Sequence, residues 1–139
     1  MALIPNKLYK KIVELVPILC VDVILTYKDQ YLLVKRATEP LKDEWWIVGG
    51  RALKGEKTID AARRKCKEEV GLNVSQLKMV GVYEDSYERS VWGVPTSSVS
   101  VVYKGNVSHL TPQLNNTLSD MKFAKGLPNR FMRKFKRIT

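Results

Sequence analysis

Two adjacent carboxylates, Glu68 and Glu69, lie near the end of a segment that both begins and ends with glycine. Neighbouring carboxylates repel each other unless a cation joins them, and their hard oxygen atoms suit Mg²⁺ or Mn²⁺. The ordinary interpretation is a pair of acids on a helix surface, each paired with a basic residue one turn earlier, Arg64 or Lys65. The glycine-rich start of the segment favours a metal site instead, because the backbone carbonyl of Gly49 can supply a third oxygen ligand.

The two carboxylates lie on a predicted helix between Thr58 and Gly71. Thr58 is of a type that caps helix N-termini, and Gly71 suits the left-handed residue that ends a helix. Apolar residues recur at steps of three and four and predict one buried face, made of Ile59, Ala62, Cys66 and Val70. Lys65 falls on another face together with the two carboxylates, so these three side chains are expected to act together.

The spacing of this segment resembles the Nudix box. It reads Gly50, five residues, Glu56, seven residues, Arg64, and then Cys66, Glu68-Glu69, Gly71 and Leu72. It departs from the box at Lys65, where the family usually has glutamate. The resemblance extends through Lys35-Arg36, Glu39-Pro40, Trp45-Trp46 and Gly49-Gly50-Arg51. This wider pattern looks like the GDP-mannose mannosyl hydrolase branch, which also lacks a glutamate at the position of Lys65.

The resemblance implies an α/β (α+β) fold, which composition alone does not select. A mixed β-sheet is expected between helices, with the box forming a loop-helix-loop catalytic motif over the sheet. The chain is then a single Nudix domain over residues 1–139, with the box at 50–72 and a basic C-terminal helix at about 127–139.

Hydrophobic periodicity predicts the other elements coarsely. They are a helix at 5–16, strands at 17–27, 31–36, 45–48, 77–83 and 96–103, a short strand near 121–123, and a helix from Leu127 in which Phe131 and Phe135 stack. Residues 84–95 are expected to form a polar loop. Of the adjacent tryptophans, one ring is expected in the core and the other on the opposite face.

The resemblance also assigns the metal ligands and the residues beside them. The Gly49 carbonyl, Glu68 and Glu69 are expected to hold Mg²⁺ (or Mn²⁺), with Glu69 essential to catalysis. Glu56 matches the acid that orients the arginine at Arg64 and fixes the loop on the helix. Lys65 places a positive charge beside the metal, which should weaken the binding of any second or third ion. The alternative for Lys65 is a side chain that simply extends into solvent.

Arg36 and Arg51 are predicted to clamp the diphosphate of a substrate. Guanidinium groups match phosphate oxygens two at a time and can neutralise charge on a leaving diphosphate. Both match arginines of the mannosyl hydrolase branch, and Arg64 joins them as an expected substrate-binding residue. Asp22 interrupts a run of β-branched residues, and it is either an outward-facing strand residue or a further substrate contact.

The sequence offers several candidates for the general base and selects none of them. The mannosyl hydrolase branch has a glutamine and a histidine in a late loop, where this chain has residues 115–120 without either type. The nearest positions are Thr117 and Leu118, and the other candidates are His109, Asp120, Glu84, Asp85 and Glu88.

Composition and charge limit the possible partners and compartments. The 139 residues carry a net charge of +10, which attracts phosphates on nucleotides, nucleic acid or membranes. Seven of the positive charges lie near the end of the chain, at Lys122, Lys125, Arg130, Arg133, Lys134, Lys136 and Arg137. A solvated terminal helix is favoured over a nucleic-acid-binding patch, because no nucleic-acid-binding motif accompanies the charge.

The sequence shows no signal peptide and no apolar run of the roughly 20 residues that span a membrane, so a cytoplasmic protein is expected. Cys20 and Cys66 are expected to be free thiols.

These observations lead to two hypotheses of different classes. The first is a Mg²⁺-dependent hydrolase of a nucleoside diphosphate linked to another group, with a nucleotide sugar such as GDP-mannose as the expected substrate. The second is a catalytically weakened Nudix domain that binds nucleotide or RNA without efficient turnover. A homodimer is a possible assembly in either case.

Overall fold

The computed structural model of the chain describes residues 4–107 and 118–135. Within these ranges three helices and seven strands follow one another. They are α1 (Asn6–Leu15), β1 (Ile18–Tyr27), β2 (Gln30–Arg36), β3 (Trp45–Trp46), β4 (Val48–Arg51), α2 (Thr58–Val70), β5 (Lys78–Tyr87), β6 (Thr96–Asn106), β7 (Leu118–Ala124) and α3 (Asn129–Lys134).

The strands form one mixed sheet in the order β3-β2-β1-β6-β5, with β4 paired to β1 and β7 paired to β2. β1 and β6 run parallel, and the other pairs are antiparallel. β1 pairs with β2 only beside their turn, at Thr26 with Tyr31 and at Tyr27 with Gln30. The first half of β1 pairs with β4 instead, and this pairing brings the glycine loop of the box onto the sheet.

Helices cover the sheet on both sides and bury two apolar clusters. α2 contacts β4, β1 and β6 and contributes Ala61, Ala62, Cys66 and Val70 to the larger cluster. α3 contacts β5 and contributes Phe131 to the second cluster, where Trp46 and Tyr83 pack edge-on against its ring. The predicted fold, a mixed sheet between helices, is confirmed.

Several local predictions are also confirmed. Gly71 ends α2 in the left-handed region with φ of 70°, and Phe131 and Phe135 stack with ring centroids 5.1 Å apart. Of the two adjacent tryptophans, Trp46 is buried as predicted. Trp45 is partly exposed and lies under the ammonium of Lys122, but it packs against the same cluster as Trp46, so the prediction that it lies on the opposite face is wrong.

Within the described residues, no helix is both long enough and apolar enough to span a bilayer.

The prediction that Thr58 caps α2 is wrong. The helix begins at Thr58, so Lys57 is the N-cap residue and makes no side-chain capping bond. The Thr58 hydroxyl lies 2.7 Å from the Tyr103 hydroxyl, in a bond that fixes the start of the helix to β6.

The predicted strand at 77–83 and the following loop also need correction, because β5 continues to Tyr87 and therefore includes Glu84 and Asp85. Alternate side chains along this stretch are buried, which is the pattern of a strand covered on one face. The predicted strand at 45–48 is two short strands, and the strand near 121–123 extends over β7. The C-terminal helix begins at Asn129 rather than Leu127 because Pro128 has an extended backbone, and residues 136–139 of its predicted range lie outside the described residues.

Candidate active site

The pairing of β1 with β4 places Gly49 opposite Asp22. The two residues approach so closely that a Cβ atom on Gly49 would lie 2.2 Å from Asp22 Oδ1 and 2.5 Å from the carbonyl oxygen of Val21. A side chain at position 49 would therefore collide with the backbone of β1 as well as with the carboxylate. Glycine is the residue that allows this contact.

Glu69 reaches the same glycine from the other side. Its side chain is buried against β4, and its Oε1 accepts a hydrogen bond of 3.2 Å from the backbone N–H of Gly49. Two of the three predicted metal ligands, Gly49 and Glu69, are thus neighbours. The bond also connects the C-terminal part of α2 to the sheet.

Arg64 connects the parts of the box to one another. Its guanidinium group donates to both oxygens of Glu56 at 2.8 and 3.0 Å, to Glu68 at 3.1 and 3.2 Å, and to the carbonyl of Arg51 at 3.0 Å. Glu56 also accepts a bond from the backbone N–H of Leu53. The hydrogen bonds from Arg64 lower the pKa of Glu56 below its usual range.

This geometry makes Arg64 a positioning residue of the box. Its donors point to the chain itself, whereas the other two arginines predicted to bind substrate line a cleft.

The interpretation of Lys65 as a solvent-directed side chain is wrong. The side chain is only 17% exposed, and its ammonium lies 3.6 Å from Oε2 of Glu68. Its last atoms lie against Gly50, where an added Cβ would be 2.4 Å from Lys65 Cε and 2.9 Å from Nζ. The absence of a side chain at Gly50 creates the space that Lys65 fills.

The donor set of the three predicted ligands is of the type that suits a divalent cation. Gly49 offers a carbonyl, and Glu68 and Glu69 offer carboxylates, which are the oxygen ligands that Mg²⁺ prefers. Within the described residues, no group of three or more His, Cys, Asp and Glu side chains is arranged to hold a metal. Glu68 is in addition shared between Arg64 and Lys65. The assignment of these ligands stays a prediction.

A cleft of about 260 Å³ opens beside the glycine loop. Asp22, Arg36 and Arg51 all line it, together with Gly49 and Gly50. Three of the predicted substrate-binding residues are therefore brought together on one surface. Lys65, Glu68 and Glu69 do not line the cleft themselves. Glu69 and Lys65 contact its glycines, Gly49 and Gly50, and Glu68 lies beside Lys65.

Both cleft arginines are held in place without a carboxylate partner. Arg36 donates from Nε to the carbonyl of Pro40 at 2.6 Å, and the guanidinium of Arg51 lies over the ring of Tyr9 at 4.9 Å from its centroid. Neither arginine forms a salt bridge within residues 4–107 and 118–135. Their positive charge is therefore available to an anionic ligand.

Asp22 is buried, so its interpretation as an outward-facing strand residue is wrong. It accepts a hydrogen bond from the Tyr83 hydroxyl. Burial raises the pKa of the Asp22 carboxyl from 3.8 to about 6, and the charge of Glu69 adds to the increase. Hydrogen bonds from Tyr83 and Ser100 and the charge of Arg36 oppose it. Asp22 is mostly ionised near neutral pH and can accept a hydrogen bond from a ligand hydroxyl.

Sequence reasoning missed several side chains that line the cleft, among them Tyr9, Glu39 and Trp92. Tyr9 comes from α1 and Trp92 from the loop between β5 and β6, and their rings meet with centroids 5.1 Å apart. A tryptophan in an otherwise polar loop was an available signal for a binding surface. Glu39 lies on the loop whose Pro40 carbonyl holds Arg36.

The structure separates the candidates for a general base. Asp85 has a fully buried side chain and accepts hydrogen bonds from Arg130 at 2.9 and 3.0 Å, so it anchors α3 to β5. Glu84, Glu88 and Asp120 are exposed and do not line the cleft. His109 and Thr117 lie outside the described residues, as does the side chain of Leu118.

The chain matches the family model of the NUDIX domain over residues 17–125. It therefore belongs to the Nudix family, and the membership predicted from the sequence is confirmed. The match begins after α1, so the helix that brings Tyr9 to the cleft lies outside the matched region.

Relatives that are named for different functions are similar to parts of the chain. The low-salt glycan biosynthesis protein Agl8 of Haloferax volcanii is 34% identical over 87 residues, which are 63% of this chain and 56% of that protein. A putative 8-oxo-dGTP diphosphatase of Bacillus subtilis is 40% identical over 62 residues, 45% of this chain and 40% of that protein. The chain thus matches about half or less of the length of these relatives.

Solved structures support the fold. A MutT NUDIX hydrolase from Burkholderia pseudomallei superposes with a TM-score of 0.72 at 17% identity, over 85% of this chain and 95% of that one. The NUDIX domain of Shewanella oneidensis NrtR, solved with ADP ribose, gives a TM-score of 0.65 at 23% identity, over 87% of this chain and 83% of that one.

Proposed function

We propose that the chain hydrolyses a nucleoside diphosphate linked to a further group, with a nucleotide sugar such as GDP-mannose as its substrate. The observation that carries this proposal is the pair Arg36 and Arg51, which line one cleft and form no salt bridge within the described residues. Two guanidinium groups on one surface suit the four non-bridging oxygens of a diphosphate, which share two negative charges.

The names of the relatives support the same class of substrate. One relative is named for glycan biosynthesis, and another is named a putative 8-oxo-dGTP diphosphatase. The second name is that of an enzyme acting on the phosphate chain of a nucleotide. The resemblance of the sequence to the mannosyl hydrolase branch, through residues such as Arg36, Arg51 and Asp22, favours a sugar as the linked group.

In the proposed mechanism, Arg36 and Arg51 bind the diphosphate and neutralise the charge that develops when it leaves. Asp22 accepts a hydrogen bond from a hydroxyl of the linked group, at the point where β1 and β4 meet. The Gly49 carbonyl, Glu68 and Glu69 would hold one Mg²⁺, in keeping with the divalent metals that Nudix hydrolases generally use. When bound, the ion would supply further charge neutralisation at the diphosphate.

A second function, nucleotide or RNA binding without efficient turnover, is favoured by a specific observation. Glu68, a predicted metal ligand, is shared by Arg64 and Lys65, which reduces the negative charge available to an ion. RNA is the weaker part of this alternative, because Arg130 and Lys134 of the basic helix are engaged by Asp85.

A substrate panel tests the proposal. GDP-mannose, ADP-ribose and 8-oxo-dGDP would be incubated with Mg²⁺ or with EDTA, and ³¹P NMR in ¹⁸O-water would show which bond is cleaved. We expect Mg²⁺-dependent turnover of the nucleotide sugar. Turnover of none of these compounds would refute the hydrolase function and leave the binding function.

The arginine clamp is tested on the substrate that is turned over. Arg36→Ala should lower kcat about a hundredfold, since it removes a donor to the leaving diphosphate. Arg133→Ala is the matched control, because Arg133 is an exposed residue of α3 away from the cleft, and it should retain the wild-type kcat. A raised KM with an unchanged kcat in Arg36→Ala would assign Arg36 to binding alone.

Compartment and assembly stay predictions. A cytoplasmic location is supported by Cys20 and Cys66, which are both free thiols. A homodimer would be tested by sedimentation of the full chain.

A further inference from the structure

Lys65 occupies an unusual place for a lysine. Such side chains normally bury their stem and extend the ammonium into water. Here the end of the side chain lies against Gly50, which itself lines the cleft, and the ammonium lies 3.6 Å from Glu68. A position that in the Nudix box usually carries an acid thus delivers a positive charge to the glycine loop.

The charges around the loop show what this cation does. Glu56, Glu68 and Glu69 provide three carboxylates, and Arg64 and Lys65 provide two cations, so one net negative charge remains. A glutamate in place of Lys65 would leave three. A divalent cation is therefore held less strongly than in a box with the usual acid, while a phosphate is repelled less.

The ammonium also acts on the cleft side of the loop. Burial raises the pKa of the Cys20 thiol to about 12, and the charge of Asp22 adds to the increase. The positive charges of Arg36, Arg51 and Lys65 oppose it. Cys20 lines the cleft and pairs with Arg51 across β1 and β4, so the Lys65 ammonium lies within electrostatic reach of the same surface as the two arginines.

We propose that Lys65 is a built-in cation of the diphosphate site, held by Glu68 and Gly50, which lets the chain bind nucleoside diphosphates without a divalent metal. The ammonium has three donor hydrogens, and its loose pairing with Glu68 leaves donors for a phosphate oxygen. This inference rests on the proposed function for the class of ligand. It concerns binding rather than turnover.

The test is calorimetric titration with α,β-methylene-GDP, whose bridging carbon resists hydrolysis. We expect the wild-type Kd in EDTA to lie within about threefold of the Kd in Mg²⁺. Lys65→Met should weaken binding in EDTA about tenfold, which is the effect of removing one nearby unit charge at a partly exposed site. Lys67→Met is the matched control, an exposed lysine of the same helix, and should bind as the wild type does.

A second measurement follows the metal itself. Electron paramagnetic resonance of Mn²⁺ would give its affinity without any nucleotide. Lys65→Glu should bind Mn²⁺ at least about tenfold more tightly than the wild type, because local charge falls by two units. Thermal melts of each variant would confirm that the fold is intact.

Two results would overturn the inference: wild-type binding of the analogue only in the presence of Mg²⁺, or unchanged analogue and Mn²⁺ affinities in both Lys65 variants. The proposed function fails separately. A chain that binds the analogue through Lys65 but hydrolyses nothing in the panel refutes the hydrolase and keeps the inference. A chain that hydrolyses a nucleotide sugar, but whose Lys65 variants bind the analogue and Mn²⁺ as the wild type does, keeps the hydrolase function and refutes the inference.

Discussion

The pairing of Asp85 with Arg130 decides whether Asp85 is a catalytic base or an anchor of α3. The Asp85 side chain is 0% exposed and accepts hydrogen bonds from Arg130 at 2.9 and 3.0 Å and from the Ser86 N–H at 2.8 Å. Lys134 adds a more distant charge at 3.6 Å. Burial by itself would raise the pKa of Asp85, but these donors outweigh it and hold the pKa below its usual value.

The variant Arg130→Met removes the guanidinium while keeping a long apolar stem. Removing one partner of a buried ion pair costs about 3–5 kcal/mol, and the partial exposure of Arg130 together with the remaining Lys134 reduces this to about 2–3 kcal/mol. Because the pKa of Asp85 is depressed in the folded chain, the stabilisation is present at neutral pH. It is lost as the pH falls below about 4 and the carboxylate is protonated.

Urea unfolding at several pH values measures this effect. The deficit of Arg130→Met should be largest at neutral pH and should shrink as the pH falls below about 4. Arg133→Met, an exposed neighbour on the same helix, should differ from the wild type by less than about 0.5 kcal/mol. In a double-mutant cycle, Asp85→Asn should show a coupling of about 2–3 kcal/mol with Arg130→Met.

Two outcomes would refute this reasoning. A deficit that does not change with pH would show that the Asp85 carboxylate does not carry the interaction. Loss of turnover in Asp85→Asn under conditions where the variant is fully folded would make Asp85 catalytic, whereas an anchor predicts that folded protein retains its activity.

Three other predictions concern the cleft. Asp22→Asn, measured in EDTA, should match the wild type in free energy of unfolding near pH 4 and exceed it by up to about 3 kcal/mol at pH 8. The reason is that the raised pKa of about 6 makes ionisation of the Asp22 carboxyl costly in the folded chain. A difference that is constant with pH would contradict this. Gly49→Ala should cost about 1–3 kcal/mol in urea unfolding through its collision with β1, whereas Gly126→Ala, which meets nothing within 4 Å, should cost much less. If Glu39 activates water, Glu39→Gln should lower kcat at least about a hundredfold. Glu44→Gln, on the same loop, is the control and should leave kcat unchanged. Equal kcat values for the two variants would exclude Glu39 as the general base.

Where periodicity and local chemistry agreed, the sequence was sufficient. The apolar spacing of α2 and the glycine at its end correctly predicted the helix that carries Glu68 and Glu69. The β-branched run of β1 likewise predicted the central strand. The spacing of Phe131 and Phe135, four residues apart, predicted that their rings pack against each other. These features depend on neighbours within one or two turns, which a single sequence displays.

The errors arose where a distant partner determines the conformation or the contact. The predicted strand at 77–83 stops before Glu84 because residues 84–95 are polar, yet Asp85 is buried and paired with Arg130, which lies 45 residues later in the chain. For Lys65 the sequence does not decide between a place beside the metal and a place in solvent, since its contact is with Gly50 of β4, which local patterns do not reveal. The aromatic wall of Tyr9 and Trp92 joins two segments that no local pattern connects.

The choice between a hydrolase and a binding domain depends on which carboxylate can activate water at the cleft. Asp85 is occupied by Arg130, and Asp22 is held by Tyr83, so both are fixed by the chain itself. Glu39 also lines the cleft, and it has no hydrogen bond or ion pair within residues 4–107 and 118–135. It lies on the loop whose Pro40 carbonyl positions Arg36, so a base at this position would move together with the arginine that binds the diphosphate. If the wild type is active and Glu39→Gln has the same kcat, this arrangement is excluded. If the wild type binds nucleotide without metal but hydrolyses nothing, the cleft has the two arginines that bind the diphosphate but no carboxylate that activates water.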